Sequence, residues 1–129
     1  MIDGLIPVGL QSPDTPAVLY DVEFRATNLR SIPDDLDTKW LTGGLLGIEY
    51  SQLKTVPDVL IRMFPYCLSL AGNPINDLPA ELFEIEGITA LSLGFTAIRE
   101  LPQNVTRLSS TLATVYIPWT DVSFFLVMA

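Results

Sequence analysis

One short phrase returns five times along this chain, and its spacing hardly varies. It reads apolar-x-apolar, two residues, Asn, Ser or Thr, one residue, aliphatic, two residues, aliphatic or aromatic, and then usually proline. The copies are Val22-x-Phe24…Thr27-x-Leu29…Ile32-Pro33, Leu46-x-Ile48…Ser51-x-Leu53…Val56-Pro57, Leu68-x-Leu70…Asn73-x-Ile75…Leu78-Pro79, Leu91-x-Leu93…Thr96-x-Ile98…Leu101-Pro102 and Val115-x-Ile117…Thr120-x-Val122…Phe125. The aliphatic residue after the polar position falls at 29, 53, 75, 98 and 122, in steps of 24, 22, 23 and 24 residues. A fixed period in this range marks a solenoid, in which each unit buries its apolar row by stacking on its neighbours.

The phrase translates into local structure. The apolar-x-apolar pair has the period of a strand, with both side chains on one face. Stacked in register, the pairs make one parallel sheet with strands centred on Glu23, Gly47, Ser69, Ser92 and Tyr116. Phe24, Ile48, Leu70, Leu93 and Ile117 form one buried row, and Val22, Leu46, Leu68, Leu91 and Val115 a second. At Thr27, Ser51, Asn73, Thr96 and Thr120 the chain turns inward. A hydrogen-bonding side chain there serves backbone groups that leave the ladder. Proline suits the first position of a short helical segment. Asp34, Asp35, Asp58 and Glu81 follow, where a helix N-terminus favours negative charge. Helical turns are predicted over 58–64, 80–86 and 103–109, and a looser arm over 38–44, where Gly43-Gly44 interrupts. Leu36, Leu60, Leu82 and Val105 close the layers.

This phrase resembles the leucine-rich repeat family, in its class of roughly 23-residue repeats ending in Leu-Pro-x-x-Leu. The resemblance covers residues 19 to 125. It implies an α/β fold: a right-handed solenoid with short parallel strands on a concave face and short helices or 3-10 turns on a convex face. One domain is expected over 1–129, with a partial leading repeat at 1–18 and repeats at 19–42, 43–64, 65–87, 88–111 and 112–129. The family's usual Asn at the turn appears only as Asn73. The turns Thr96-Ala97-Ile98 and Thr120-Asp121-Val122 are similar to those of large repeat proteins of oomycetes and some plants. Neither end carries the polar cap that such arrays need. Leu5, Ile6, Phe124 and Phe125 are therefore expected to be poorly covered and open to self-association. A fragment of a longer array is one expectation, and a small protein with improvised caps is the other.

Charge narrows the partners. Fifteen acidic residues against seven basic ones give a net charge of −8, which argues against nucleic acid and anionic membrane surfaces. The apolar runs fall far short of the ~20 residues of a membrane helix. Cys67 is the single cysteine and forms no internal disulfide. That slightly favours a cytoplasmic, reducing compartment and leaves open the extracellular part of a larger protein. Asn104-Val105-Thr106 matches a glycosylation acceptor.

Chemistry is sparsely provided for. The chain has no histidine, so the commonest general base, the usual nucleophilic triads and most zinc sites are missing. Cys67 has no sequence partner to activate it. Asp34-Asp35 and the pair Glu84/Glu86 read as solvated outer faces. No enzyme activity, cofactor or metal is expected.

The surface to read is therefore the outward side of the sheet. One column, Ala26, Tyr50, Gly72, Phe95 and Trp119, places aromatics among small residues along one lip. Exposed aromatics are enriched in binding hot spots. The expected contact residues are Tyr50, Phe95, Tyr116 and Trp119 as anchors, with Glu23 and Glu49 selecting a basic partner. The function these residues suggest is a protein-interaction module for a peptide or protein. The alternative is a non-functional or structural fragment of a larger leucine-rich-repeat receptor-like protein.

Overall fold

The computed structural model describes residues 4–6, 11, 21–40, 42–118 and 120. Wherever the phrase puts an apolar-x-apolar pair, the chain extends and pairs with the copy before it. β1 (Val22–Arg25), β2 (Leu45–Glu49), β3 (Cys67–Ser69), β4 (Ala90–Ser92) and β5 (Thr114–Tyr116) form one sheet in sequence order, every neighbour parallel. Val22 pairs with Leu46, Leu46 with Leu68, Leu68 with Leu91 and Leu91 with Val115. The register thus advances by the same 24, 22, 23 and 24 residues as the sequence period. β3, β4 and β5 centre on Leu68, Leu91 and Val115, one residue earlier than expected. Regular pairing ends early because the polar turn draws the chain inward. Single ladder bonds still continue past it, from Leu70 N–H to Ser92 O at 2.9 Å and from Leu93 N–H to Tyr116 O at 2.8 Å.

Alternation decides the core. Leu46, Ile48, Leu68, Leu70, Leu91 and Leu93 are buried in the middle strands. Val22 and Phe24 on β1, Val115 on β5 and Ile117 just after it are half-buried against the same core, because among the described residues β1 and β5 are each paired on one side only. Trp40, Met63, Phe83, Ile85 and Ile88, outside the repeated phrase, are buried too. Trp40 tilts against Phe24 with ring centroids 6.3 Å apart.

The polar turn residues bond as their chemistry requires. Asn73 is only 1% exposed. Its amide nitrogen donates to Ile48 O at 2.6 Å and Leu70 O at 3.0 Å, and its oxygen accepts from Leu53 N–H at 3.1 Å. The smaller hydroxyls do less. Thr96 donates to Leu93 O at 2.8 Å and Thr120 to Ile117 O at 3.0 Å. Thr27 and Ser51 share a bond of 2.8 Å.

The outer arms depart from expectation in three places. α1 (Asp58–Arg62) lies within the predicted 58–64, and a 3-10 helix at Ala80–Phe83 within 80–86. Pro57 and Pro79, however, stand just outside these helices, with ψ of 131° and 145°. Proline fixes only φ, and its extended ψ carries the approach straight into the first turn. A 3-10 helix at Leu36–Thr38 begins ahead of the arm expected to be loose. No helix forms over 103–109. Asn104, Val105, Thr106 and Ser109 are weak helix formers. The segment from Ser109 bonds across to its neighbour instead, with Ser109 N–H to Phe83 O at 2.8 Å and the Thr111 hydroxyl to Ile88 O at 2.7 Å.

Ahead of β1, Ile6 is buried, contrary to the expectation of poor cover, whereas Leu5 is exposed. The short segment 4–6 docks on the first layer through Arg30 N–H to Gly4 O at 2.9 Å. Gly4 has φ +69°, and a Cβ there would sit 2.6 Å from Asn28 O. Phe124 and Phe125 lie outside the described residues.

Two pairs of substitutions test this packing by denaturant unfolding. Leu93→Ala should cost about 2–5 kcal/mol, whereas Ser92→Ala should stay within about 0.5 kcal/mol; equal losses would mean the alternation is misassigned. Asn73→Ala strands several buried backbone groups and should cost about 3 kcal/mol, against about 1 kcal/mol for Thr96→Ala. A smaller loss at Asn73 than at Thr96 would contradict the bonding described.

Candidate interaction surface

The outward side of the sheet has an acidic part and an aromatic part. On the acidic side, Glu23 (β1) lies across Gly47 (β2), where an added Cβ would meet its Cγ at 3.1 Å. Glu49, at the end of β2, accepts a hydrogen bond from the Ser69 hydroxyl at 2.9 Å. Asp21 caps the start of β2, accepting from Leu45 N–H at 3.0 Å. Half-buried Cys67 lies near both glutamates. Burial pushes its thiol pKa up, and the charges of Glu23 and Glu49 push it further. Cys67 is thus held as a neutral thiol, the opposite of what a nucleophile needs.

The aromatic lip begins just past the strands, where the chain enters the left-handed region. The φ angles are +54° at Ala26, +50° at Tyr50, +77° at Gly72 and +55° at Phe95. Glycine adopts this conformation freely, whereas other residues spend roughly 1–2 kcal/mol on it. Tyr50 and Phe95 nevertheless occupy it, and the two residues are 41% and 47% exposed. Their centroids are 6.1 Å apart, tilted by 46°. They approach across Gly72, where an added Cβ would lie 2.4 Å from the Tyr50 ring. The Arg25 guanidinium stands 5.4 Å from the centre of the Tyr50 ring, within cation–π range. Arg25, Tyr50 and Phe95 therefore form a continuous strip across the first four strands. Sequence reasoning missed Arg25 as a member. The signal was available, since a step of 24 residues sets Arg25 beside Glu49 and next to Tyr50.

The expected contact residues divide into two groups. Glu23 and Glu49 share the acidic side around Cys67, and Tyr50 and Phe95 meet on the lip. Tyr116, 60% exposed, stands on β5 opposite Ser92. Trp119 lies outside the described residues. Gly47, Ala71 and Gly94 are buried. Glu23 covers Gly47, and Pro118 covers Gly94 closely enough that a Cβ would meet it at 2.8 Å. Asn104 is exposed on the irregular outer arm, away from the lip.

Among the described residues, no group of His, Cys, Asp and Glu is arranged to hold a metal ion. No helix there is long and apolar enough to cross a membrane. No family model, curated protein or solved structure matches the chain.

The glycine under the rings provides a test. Gly72→Ala should lower stability by about 1–3 kcal/mol, through the collision with Tyr50 and the left-handed backbone. Ala26→Gly, at the equivalent position of the first layer, should be neutral or stabilising by up to about 1 kcal/mol. Thermal unfolding with the reverse order would refute the packing of Tyr50 over Gly72.

Proposed function

We propose that this chain is a leucine-rich-repeat solenoid and a protein-interaction module. It binds a peptide or protein segment on the outward side of its sheet. The observation that carries the reading is the aromatic lip. Tyr50 and Phe95 occupy left-handed positions that glycine would fill with less strain, and both residues remain exposed. Folding gains from neither property, and strained, exposed groups of this kind cluster at ligand clamps. The strand register, advancing with the sequence period, and the buried Asn73 at the turn support the solenoid.

Each group has a role in this reading. Tyr50, Phe95, Tyr116 and Trp119 are the anchors. Arg25 stiffens the Tyr50 ring from one side, so less rotamer entropy is lost on binding. Glu23 and Glu49 select a basic partner and act mainly on association rate. Binding rather than catalysis is favoured by the absence of histidine from the sequence and by a thiol held neutral.

Peptides selected from a random display library against the whole protein test the proposal. Binders should carry Lys or Arg beside an apolar residue. Tyr50→Ala or Phe95→Ala should each weaken them by about 2 kcal/mol or more, roughly 30-fold. Lys54→Ala, exposed and off the lip, should change nothing. Binders indifferent to both aromatic changes would reject this face.

A further inference from the structure

Away from the sheet, the outer arms border an open cleft of about 840 Å³. Ile61, Phe64, Ile85 and Leu108 give it an apolar lining. Phe64 is the unusual member. It follows the C-cap residue Met63 of α1, the place where helices commonly end on a left-handed glycine. Its φ is +47°, and 52% of its surface is exposed. Pro65 follows directly and narrows its backbone choices further. A phenylalanine that is both left-handed and half in water contributes little to folding at this position. Leu108, which also lines the cleft, is exposed as well.

The charges around these apolar groups indicate what they accept. Glu81, Glu84 and Glu86 line the cleft and form no ion pair among the described residues. Arg62 also lines it, but its charge is taken by Asp34 at 3.0 Å and Asp37 at 3.4 Å. Arg107 is the remaining cation. The field over the cleft is therefore negative around an apolar centre. A second copy of this chain, at −8, would bring like charge into it.

We propose that the cleft between Phe64 and Leu108 is a second docking site, for a protein segment that joins an apolar side chain to Lys or Arg. The apolar side chain lies between Phe64 and Leu108, and the cation meets the three glutamates. The site is independent of the aromatic lip, so the protein would bridge two segments.

The test uses the whole isotope-labelled protein and a short synthetic peptide of alternating arginine and leucine, followed through backbone amide shifts. The peptide should move amides at 61–64, 84–87 and 107–111. Tyr50→Ala should leave that response intact. Versions with glutamate for arginine, or serine for leucine, should bind at least tenfold more weakly. Phe64→Gly should weaken binding at least tenfold while the melting temperature holds or rises, because glycine relieves the left-handed backbone. Should that variant unfold, Leu108→Ser and the double change Glu84→Gln, Glu86→Gln carry the same expectation for binding. The proposal is overturned if these amides stay still at millimolar peptide, if the glutamate version binds equally well, or if the shifts fall only on the sheet. That last outcome would leave the reading of the aromatic lip standing.

Discussion

The inward turn after each strand is the constraint on which the rest depends. A chain leaving a parallel ladder abandons backbone donors and acceptors, and buried ones left unpaired cost about 1–3 kcal/mol each. Asn73 answers this most completely. Its one amide serves Ile48, Leu70 and Leu53, joining two successive layers beneath the sheet. Thr27, Ser51, Thr96 and Thr120 answer it with a hydroxyl, which reaches fewer groups. Only with the turn closed can Leu53, Ile75 and Ile98 re-enter the core, where each is buried.

The same turn shapes the surface. To swing inward, the chain passes through left-handed backbone at Ala26, Tyr50, Gly72 and Phe95. Three of these four carry a side chain, so the fold holds strain in each of those layers. The large rings of Tyr50 and Phe95 fit because Gly72, between them, has no Cβ. The lip is thus a product of alternation between layers, large beside small. The proposed role in binding rests on that strain, which glycine would relieve at each such position.

Phe64 repeats this logic on the outer arm, where a helix end rather than a strand end requires the left-handed residue. Two unrelated structural demands have been met with an exposed aromatic. Both stand near carboxylates, in a chain whose acidic residues outnumber its basic ones fifteen to seven. The proposed preference for cationic partners is therefore common to both surfaces, whereas the proposed apolar anchors are local to each.

Much of the sheet is legible in the amino-acid sequence by itself. An apolar-x-apolar pair recurring at a steady period determines which residues face inward and which copy pairs with which, because a slip by one residue would turn every side chain to the wrong face. The pairings of Leu46 with Leu68 and of Leu68 with Leu91 follow from spacing alone. The outer arms are less legible. There, local propensity competes with cross-layer hydrogen bonds, and at Ser109 and Thr111 the cross-layer bonds win over a helix. Residues outside the phrase, such as Trp40 and Phe83, find their burial only once layers are stacked. The column of Tyr50 and Phe95 is visible as sequence. Its left-handed backbone, its closure over Gly72 and the guanidinium of Arg25 beside it are decided by tertiary structure alone, since each depends on side chains from different layers meeting across distances that no local pattern encodes.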